Sequence, residues 1–266
     1  MLASKVAGPA DGWLPHIRDE ANRRLDRKNI QQALNDSLQR LQTDYLDLYQ
    51  LHWPDRQTNY FGKLGYEHIE NDVSVPVEET LEALKEQVDA GKIRAIGLSN
   101  ETPWGVMQFI RLAEKLNLPR VVSVQNPYSL LNRTYEVGLA EVSIRESAGL
   151  LAYSPLGFGV LSGKYLNQQK PAGARLTLYP DYARYSSENA IKATSAYVDL
   201  ARENDLDPAQ MALAYVTSRR FLTSNIIGAT KIDQLRDNIN SAYIELNETV
   251  LEQIEAIHQQ YPNPSP

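Results

Sequence analysis

The stretch Tyr45-Leu-Asp-Leu-Tyr-Gln-Leu-His52 reads as a buried strand that stops on a histidine, with Trp53-Pro54 behind it. Five other short apolar runs end in polar residues in the same way. They are Met1-Leu-Ala-Ser-Lys5, Ile93-Arg-Ala-Ile-Gly-Leu-Ser-Asn100, Val121-Val-Ser-Val-Gln125, Gly149-Leu-Leu-Ala-Tyr-Ser154 and Ser224-Asn-Ile-Ile-Gly-Ala-Thr230. Strands covered on both faces are nearly all apolar. Polar groups gathered at the carboxyl ends of successive strands are how a parallel α/β barrel builds a ligand site. Such a barrel closes with eight strands, and six are found here. The expected fold is α/β, of the (β/α)8 type, with six of the eight strands.

The segments between the runs read as helices. Asp26 can cap a helix with Ile30, Leu34, Leu38 and Leu41 at helical spacing. A second carries Val77, Leu81, Leu84 and Val88 and stops at Gly91. A third opens on Thr102-Pro103 and shows Val106, Phe109, Ile110 and Ala113. Further helices are expected over Tyr135 to Ser147, Glu188 to Glu203, Pro208 to about Ser218, Ile232 to Ala242 and Thr249 to His258. Strand-helix alternation calls for a parallel sheet with helical crossovers. No composition shift marks a linker, so one domain over residues 1–266 is expected. The segment Ala7 to Leu25 reads as an irregular excursion. The long loops Pro54 to Val75 and Phe158 to Ser187 should shape a binding site.

A net charge of -6 argues against a general nucleic-acid binder. The absence of cysteine excludes disulfides and thiolate metal sites and fits a reducing cytoplasm. No apolar stretch reaches the ~20 residues that span a bilayer, so no membrane partner is expected. The sequons at Asn35, Asn132 and Asn247 are read as chance matches. His16, His68 and His258 show no metal-ligand spacing, and no metal is expected.

Lys5 is either a solvated terminal lysine or an ammonium directed into a site where it favours an anion. His52 is either a hydrogen-bonded core residue or a polar group under an aromatic cover. Ser99-Asn100 and Gln125-Asn126 offer amides and a hydroxyl suited to a carboxamide, or else to turn chemistry. In Tyr153-Ser154-Pro155-Leu156-Gly157 the ring could stack on a flat ligand and the following turn could offer amides to phosphate; simple core is the other reading. Gly228, Ala229 and Thr230 stand at a helix amino terminus, an anion site. Gln234 and Asn238 lie one turn further on. With Arg175 from the long loop they could clamp a 2'-phosphate, which favours NADP over NAD. No G-x-G-x-x-G follows a strand.

Together these residues resemble the aldo-keto reductase superfamily from residue 1 to near the end. Leu25 to Ile30, Ser37 to Pro54, Asn126 to Asn132 and Ala152 to Tyr165 look most like the bacterial Tas-type reductases, in the branch that includes potassium-channel β subunits. The resemblance implies a (β/α)8 barrel with strands three to eight in this chain. It also implies extended NADP(H) binding and hydride transfer to a small-molecule carbonyl. It matches Lys5 to the catalytic lysine and His52 to the catalytic histidine. Ser99, Asn100 and Gln125 match contacts to the nicotinamide amide, and Tyr153 the stacking aromatic. Ser154, Leu156, Gly157 and Lys164 match pyrophosphate contacts. Arg175, Thr230, Gln234 and Asn238 match contacts around the 2'-phosphate. The family's aspartate and proton-donating tyrosine precede the lysine strand, so both positions fall before residue 1, with two β/α units. Tyr60 or Tyr66 is the only replacement donor in view.

The expectation is thus a truncated, impaired NADPH-dependent carbonyl reductase that can self-associate through exposed barrel edges. Two other classes stay open: a non-catalytic NADP(H)-binding regulatory protein, and a Schiff-base aldolase with Lys5 as nucleophile.

Overall fold

The computed structural model describes residues 1–9, 17 and 22–266. Most of the predicted excursion after the first strand, including His16, lies outside the described residues. The rest forms two compact units, one of residues 1–125 with 142–149 and the other of residues 126–141 with 150–266.

In the first unit, β1 (Ala3–Val6), β2 (Leu46–Leu51), β3 (Ile93–Ser99) and β4 (Val121–Gln125) pair in parallel in chain order. The crossovers are α1 (Arg27–Leu41), α2 (Val77–Asp89) and α3 (Pro103–Leu116). Asp26 caps α1 through Asn29 N–H at 2.8 Å, and Thr102 caps α3 ahead of Pro103. Each satisfies an amide that the first helical turn leaves open. Most of the predicted stripes are buried: Ile30, Leu34 and Leu38 on α1, Leu81 and Leu84 on α2 with Val77 and Val88 half-buried, and Val106, Phe109, Ile110 and Ala113 on α3. Leu41 instead lies exposed at the frayed end of α1. Gly91 sits at φ 72°, the left-handed turn that ends α2.

In the second unit, β5 (Gly149–Ala152) pairs in parallel with β6 (Leu222–Asn225). The helices are α4 (Leu139–Arg145, which begins here), the single turn α5 (Arg175–Leu178), α6 (Glu188–Glu203), α7 (Pro208–Thr217), α8 (Ile232–Asn240) and α9 (Glu248–Gln260). Met211 to Val216 of α7 are all buried, against Tyr197, Val198 and Ala201 of α6 in the same core. The six parallel strands and their helices are the α/β arrangement the sequence predicts, two strands short of a closed barrel among the described residues.

Two boundaries differ from expectation. The sixth strand occupies 222–225 rather than 224–230, because β5 is only four residues long; the ladder ends where Ile226 N–H meets Ala152 O. The helix expected over 135–147 is split, with a 3-10 turn at Thr134–Val137 and α4 beyond Gly138, whose backbone (φ -155°, ψ -41°) is not helical. Nor is every strand covered: Thr223 and Ser224 of β6 are exposed. No residue of α8 is buried, and Ile232, Leu235 and Ile239 stand in water along one side of it.

Candidate active site

Five of the predicted residues are gathered in the first unit. Lys5 lies in β1 opposite Gln50, and the His52 amide continues that ladder by donating to Val6 O at 3.0 Å. Burial lowers the Lys5 ammonium below its ordinary pKa. Burial, and then the Lys5 charge, push the His52 imidazole down to about 4. The histidine is therefore neutral at neutral pH, offering one ring N–H and one ring lone pair.

Hydrogen bonds join the next two strand ends to this pair. Asn100 sits at φ 52°, a left-handed conformation that asparagine tolerates. Its Nδ2 donates to His52 O at 2.8 Å and to Ser99 Oγ at 3.1 Å. The Ser99 hydroxyl donates to Gln125 O at 2.8 Å, and the Asn100 amide donates to the same oxygen. The Gln125 side chain is buried, and its Oε1 has no hydrogen-bond partner among the described residues. A buried acceptor left open costs about 1–3 kcal/mol, which an incoming N–H would recover.

The loop after His52 carries an aromatic wall. Trp53 lies 4.7 Å from the His52 ring, Phe61 packs edge-on against Trp53, and Tyr60 edge-on against Phe61. Tyr66 is exposed and its hydroxyl meets His68 Nδ1 at 2.9 Å. Asp55 fastens both ends of the loop. It accepts from the Arg24 guanidinium, Leu25 N–H at 2.7 Å and Val75 N–H at 2.8 Å. Asp55 was not singled out from the sequence.

The other predicted residues belong to the second unit. Tyr153 N–H donates to Asn126 O, and Tyr153 O accepts from Tyr128 N–H. Burial pushes the Tyr153 phenol up to about 12, against the pull of Arg184. Ser154 and Gly157 both take positive φ (54° and 53°), and Gly157 N–H closes a turn on Ser154 O. A Cβ at Gly157 would lie 3.1 Å from the Tyr185 ring, so glycine is needed for both space and backbone. Pro155 and Leu156 complete that turn. The Lys164 ammonium stands where a Cβ on Gly159 would fall 2.7 Å from it. Arg175, at the start of α5, lies over the Phe158 ring at 4.2 Å and near Tyr182 at 5.6 Å. Phe158 itself is at φ 58°, an unusual backbone for a bulky side chain. Phe158, Tyr182 and Tyr185 were not singled out from the sequence.

Gly228, Ala229 and Thr230 are exposed before α8, and Gln234 Oε1 accepts from both the amide and the hydroxyl of Thr230. Asn238 follows one turn later. Among the described residues no cluster of His, Cys, Asp or Glu could hold a metal, and no helix is long and apolar enough to cross a membrane.

Comparison with known proteins accounts for this pattern. The model of the "Aldo/keto reductase family" matches residues 1–259. The chain is 59% identical to Protein tas of Escherichia coli K12 over its whole length and 76% of that protein. It is 37% identical to an aldo-keto reductase of Babesia bovis, covering 99% of this chain and 97% of that one. It is also 30% identical to a probable voltage-gated potassium channel subunit beta of rice, over 90% of this chain and 69% of that protein. With its lysine, histidine and amide groups at successive strand ends, the chain belongs to the aldo/keto reductase family.

Proposed function

We propose that this oxidoreductase-family chain is an NADPH-dependent carbonyl reductase. The observation that carries the reading is the half-buried Lys5–His52 pair flanked by the open Gln125 acceptor. A nicotinamide carboxamide has the N–H that the Gln125 Oε1 lacks, and Ser99 and Asn100 stand beside it. The nicotinamide cofactor, when bound, supplies the hydride. Tyr153 offers its ring face for stacking, and the turn Ser154-Pro155-Leu156-Gly157 with Lys164 suits a pyrophosphate. Arg175, Thr230, Gln234, Asn238 and the exposed turn at Gly228 and Ala229 suit a 2'-phosphate, which is why NADP(H) is preferred here to NAD(H).

The chain's own groups act on the carbonyl. The neutral His52 ring donates its N–H to the carbonyl oxygen and orients it. The Lys5 ammonium, poorly hydrated, favours negative charge growing on that oxygen. The lack of cysteine suits a cytoplasmic setting.

The test is a pair of measurements on residues 1–266. Quenching of tryptophan fluorescence by NADPH, weakened in Arg175→Ala, is expected with aldehyde-dependent oxidation at 340 nm that disappears in Lys5→Met and His52→Gln. Binding without any oxidation would favour an NADP(H)-binding regulatory protein. No binding at all would end both readings.

A further inference from the structure

Within the first unit, α2 and α3, the ends of β2 and β3, and the loop after His52 enclose a cavity of about 320 Å3. Neither Lys5, His52, Asn100 nor Gln125 is among its described lining residues. Its size falls within the range of small-molecule sites, ~300–1,000 Å3. We propose that this cavity is a binding site for a small uncharged aromatic molecule, whose occupancy is felt at His52.

The lining dictates the ligand class. Trp53, Trp104 and Phe109 supply aromatic surface, with Leu51, Leu98 and Leu112 around them. Rings stack or meet edge to face on such walls with about 0.5–1.5 kcal/mol beyond their burial. The buried and half-buried charged groups of the wall are already matched, and Glu78 is exposed to water. Arg56 forks onto Glu101 at 3.0 and 2.5 Å and lies 4.9 Å over the Trp104 ring, while Asp55 holds Arg24. An anionic ligand would face Glu78 and Glu101, and a cationic one would face Arg56, with the exposed, water-screened Glu78 its one unmatched carboxylate among the described lining residues. Either would lose its hydration without a buried spare countercharge.

The link to the catalytic pair is short. Trp53, on the cavity wall, is in ring contact with His52 at 4.7 Å. Ser99, also on the wall, accepts from the Asn100 amide that holds His52 O. A ligand pressing on Trp53 and Ser99 therefore touches the two neighbours that fix the histidine.

The test uses 4-nitroanisole, a neutral ring with no reducible carbonyl, added to the whole chain without cofactor. Its binding is followed by saturation-transfer NMR and by the carbon-bound proton resonances of the His52 ring. Saturable binding with a matching His52 shift is expected. Leu112→Trp and Val77→Phe, which add bulk from α3 and α2, should each weaken binding about tenfold, and 4-nitrobenzoate should bind about tenfold more weakly than the neutral probe. Circular dichroism identifies which variant is folded, and either one is sufficient. Undiminished binding in a folded variant, equal binding of the benzoate, displacement by NADPH, or binding without a His52 shift would each overturn the proposal. None of these readings requires turnover, so failure of the reductase reading would be seen separately.

Discussion

Acid should weaken the first unit through one imidazole, by an amount the structure sets. The His52 pKa falls from 6.5 to about 4 on folding, through burial first and the Lys5 charge second. Between those values the unfolded chain holds a proton that the folded chain excludes. The contribution is therefore fully present above the unfolded pKa and is lost as pH falls toward the folded one. The whole shift corresponds to about 3 kcal/mol, and acidification from about pH 7 to about pH 4.5 should remove about 2 kcal/mol of it.

Urea unfolding followed by tryptophan fluorescence reads the right part of the molecule, since Trp13, Trp53 and Trp104 all fall within residues 1–125. The quantity to plot is the stability of the parent minus that of His52→Gln, because other titrating groups cancel in the difference. It should fall by about 2 kcal/mol over that pH interval. Lys5→Met removes the smaller cause only, so His52 should titrate closer to its ordinary value but still below it. A difference that stays level across the interval would show that the imidazole is hydrated, and the electrostatic argument would be lost.

Gly105 is a helical glycine whose replacement disturbs the Glu101–Arg56 ion pair: a Cβ there would run into Glu101 Oε1 and fall 2.6 Å from Arg56 Nη2. Gly105→Ala should therefore lose about 1–3 kcal/mol in urea unfolding, where an ordinary helix site gains about 1. Asp55→Ala leaves two backbone amides and a guanidinium without their acceptor, at a cost of about 3 kcal/mol, and exchange of the Leu25 and Val75 amide protons should accelerate. In the second unit, Arg133 binds Glu136 and Glu255, and against burial the bonds from Arg133 and then Tyr128 hold the Glu136 carboxyl below its usual range. Arg133→Met should cost about 3 kcal/mol, and the Glu136 carboxyl should titrate at higher pH by carbon-detected NMR.

Local chemistry was the legible part of this chain. Asp26 and Thr102 precede their helices by the one position that lets a side-chain oxygen reach an orphan amide, so the caps could be read without any tertiary information. Ser99, Asn100 and Gln125 could be read because each ends an apolar run, and parallel pairing brings such ends level. Asp55 was opaque because its partners Leu25 and Val75 are 30 and 20 residues away, and a carboxylate in a polar loop ordinarily signals only solvent. Glu101 and Arg56 are separated by 45 residues and hidden for the same reason. On α8 the apolar Ile232, Leu235 and Ile239 stay exposed, because periodicity names an apolar face without naming its cover. The end of β6 was misplaced because its length is set by β5, its partner, and not by its own apolar run.

Placing two basic groups together away from water has a consequence for whatever binds them. Burial disfavours the charged form of Lys5 and of His52, and the Lys5 charge disfavours that of His52 further. A negatively charged occupant reverses both penalties, so its arrival must draw the His52 pKa upward. By reciprocity the affinity for such an occupant must rise as pH falls through the His52 titration. A neutral carbonyl compound gains little from that linkage until charge grows on its oxygen, which is the behaviour a site needs if it is to bind the reacting state more tightly than the resting one. Titrating oxalate against the chain while following the His52 ring resonances tests the principle directly. The resonance should move toward the protonated position, and oxalate should bind more tightly at about pH 5 than at about pH 7. A His52 pKa indifferent to the anion would mean that Lys5 and His52 do not share a site.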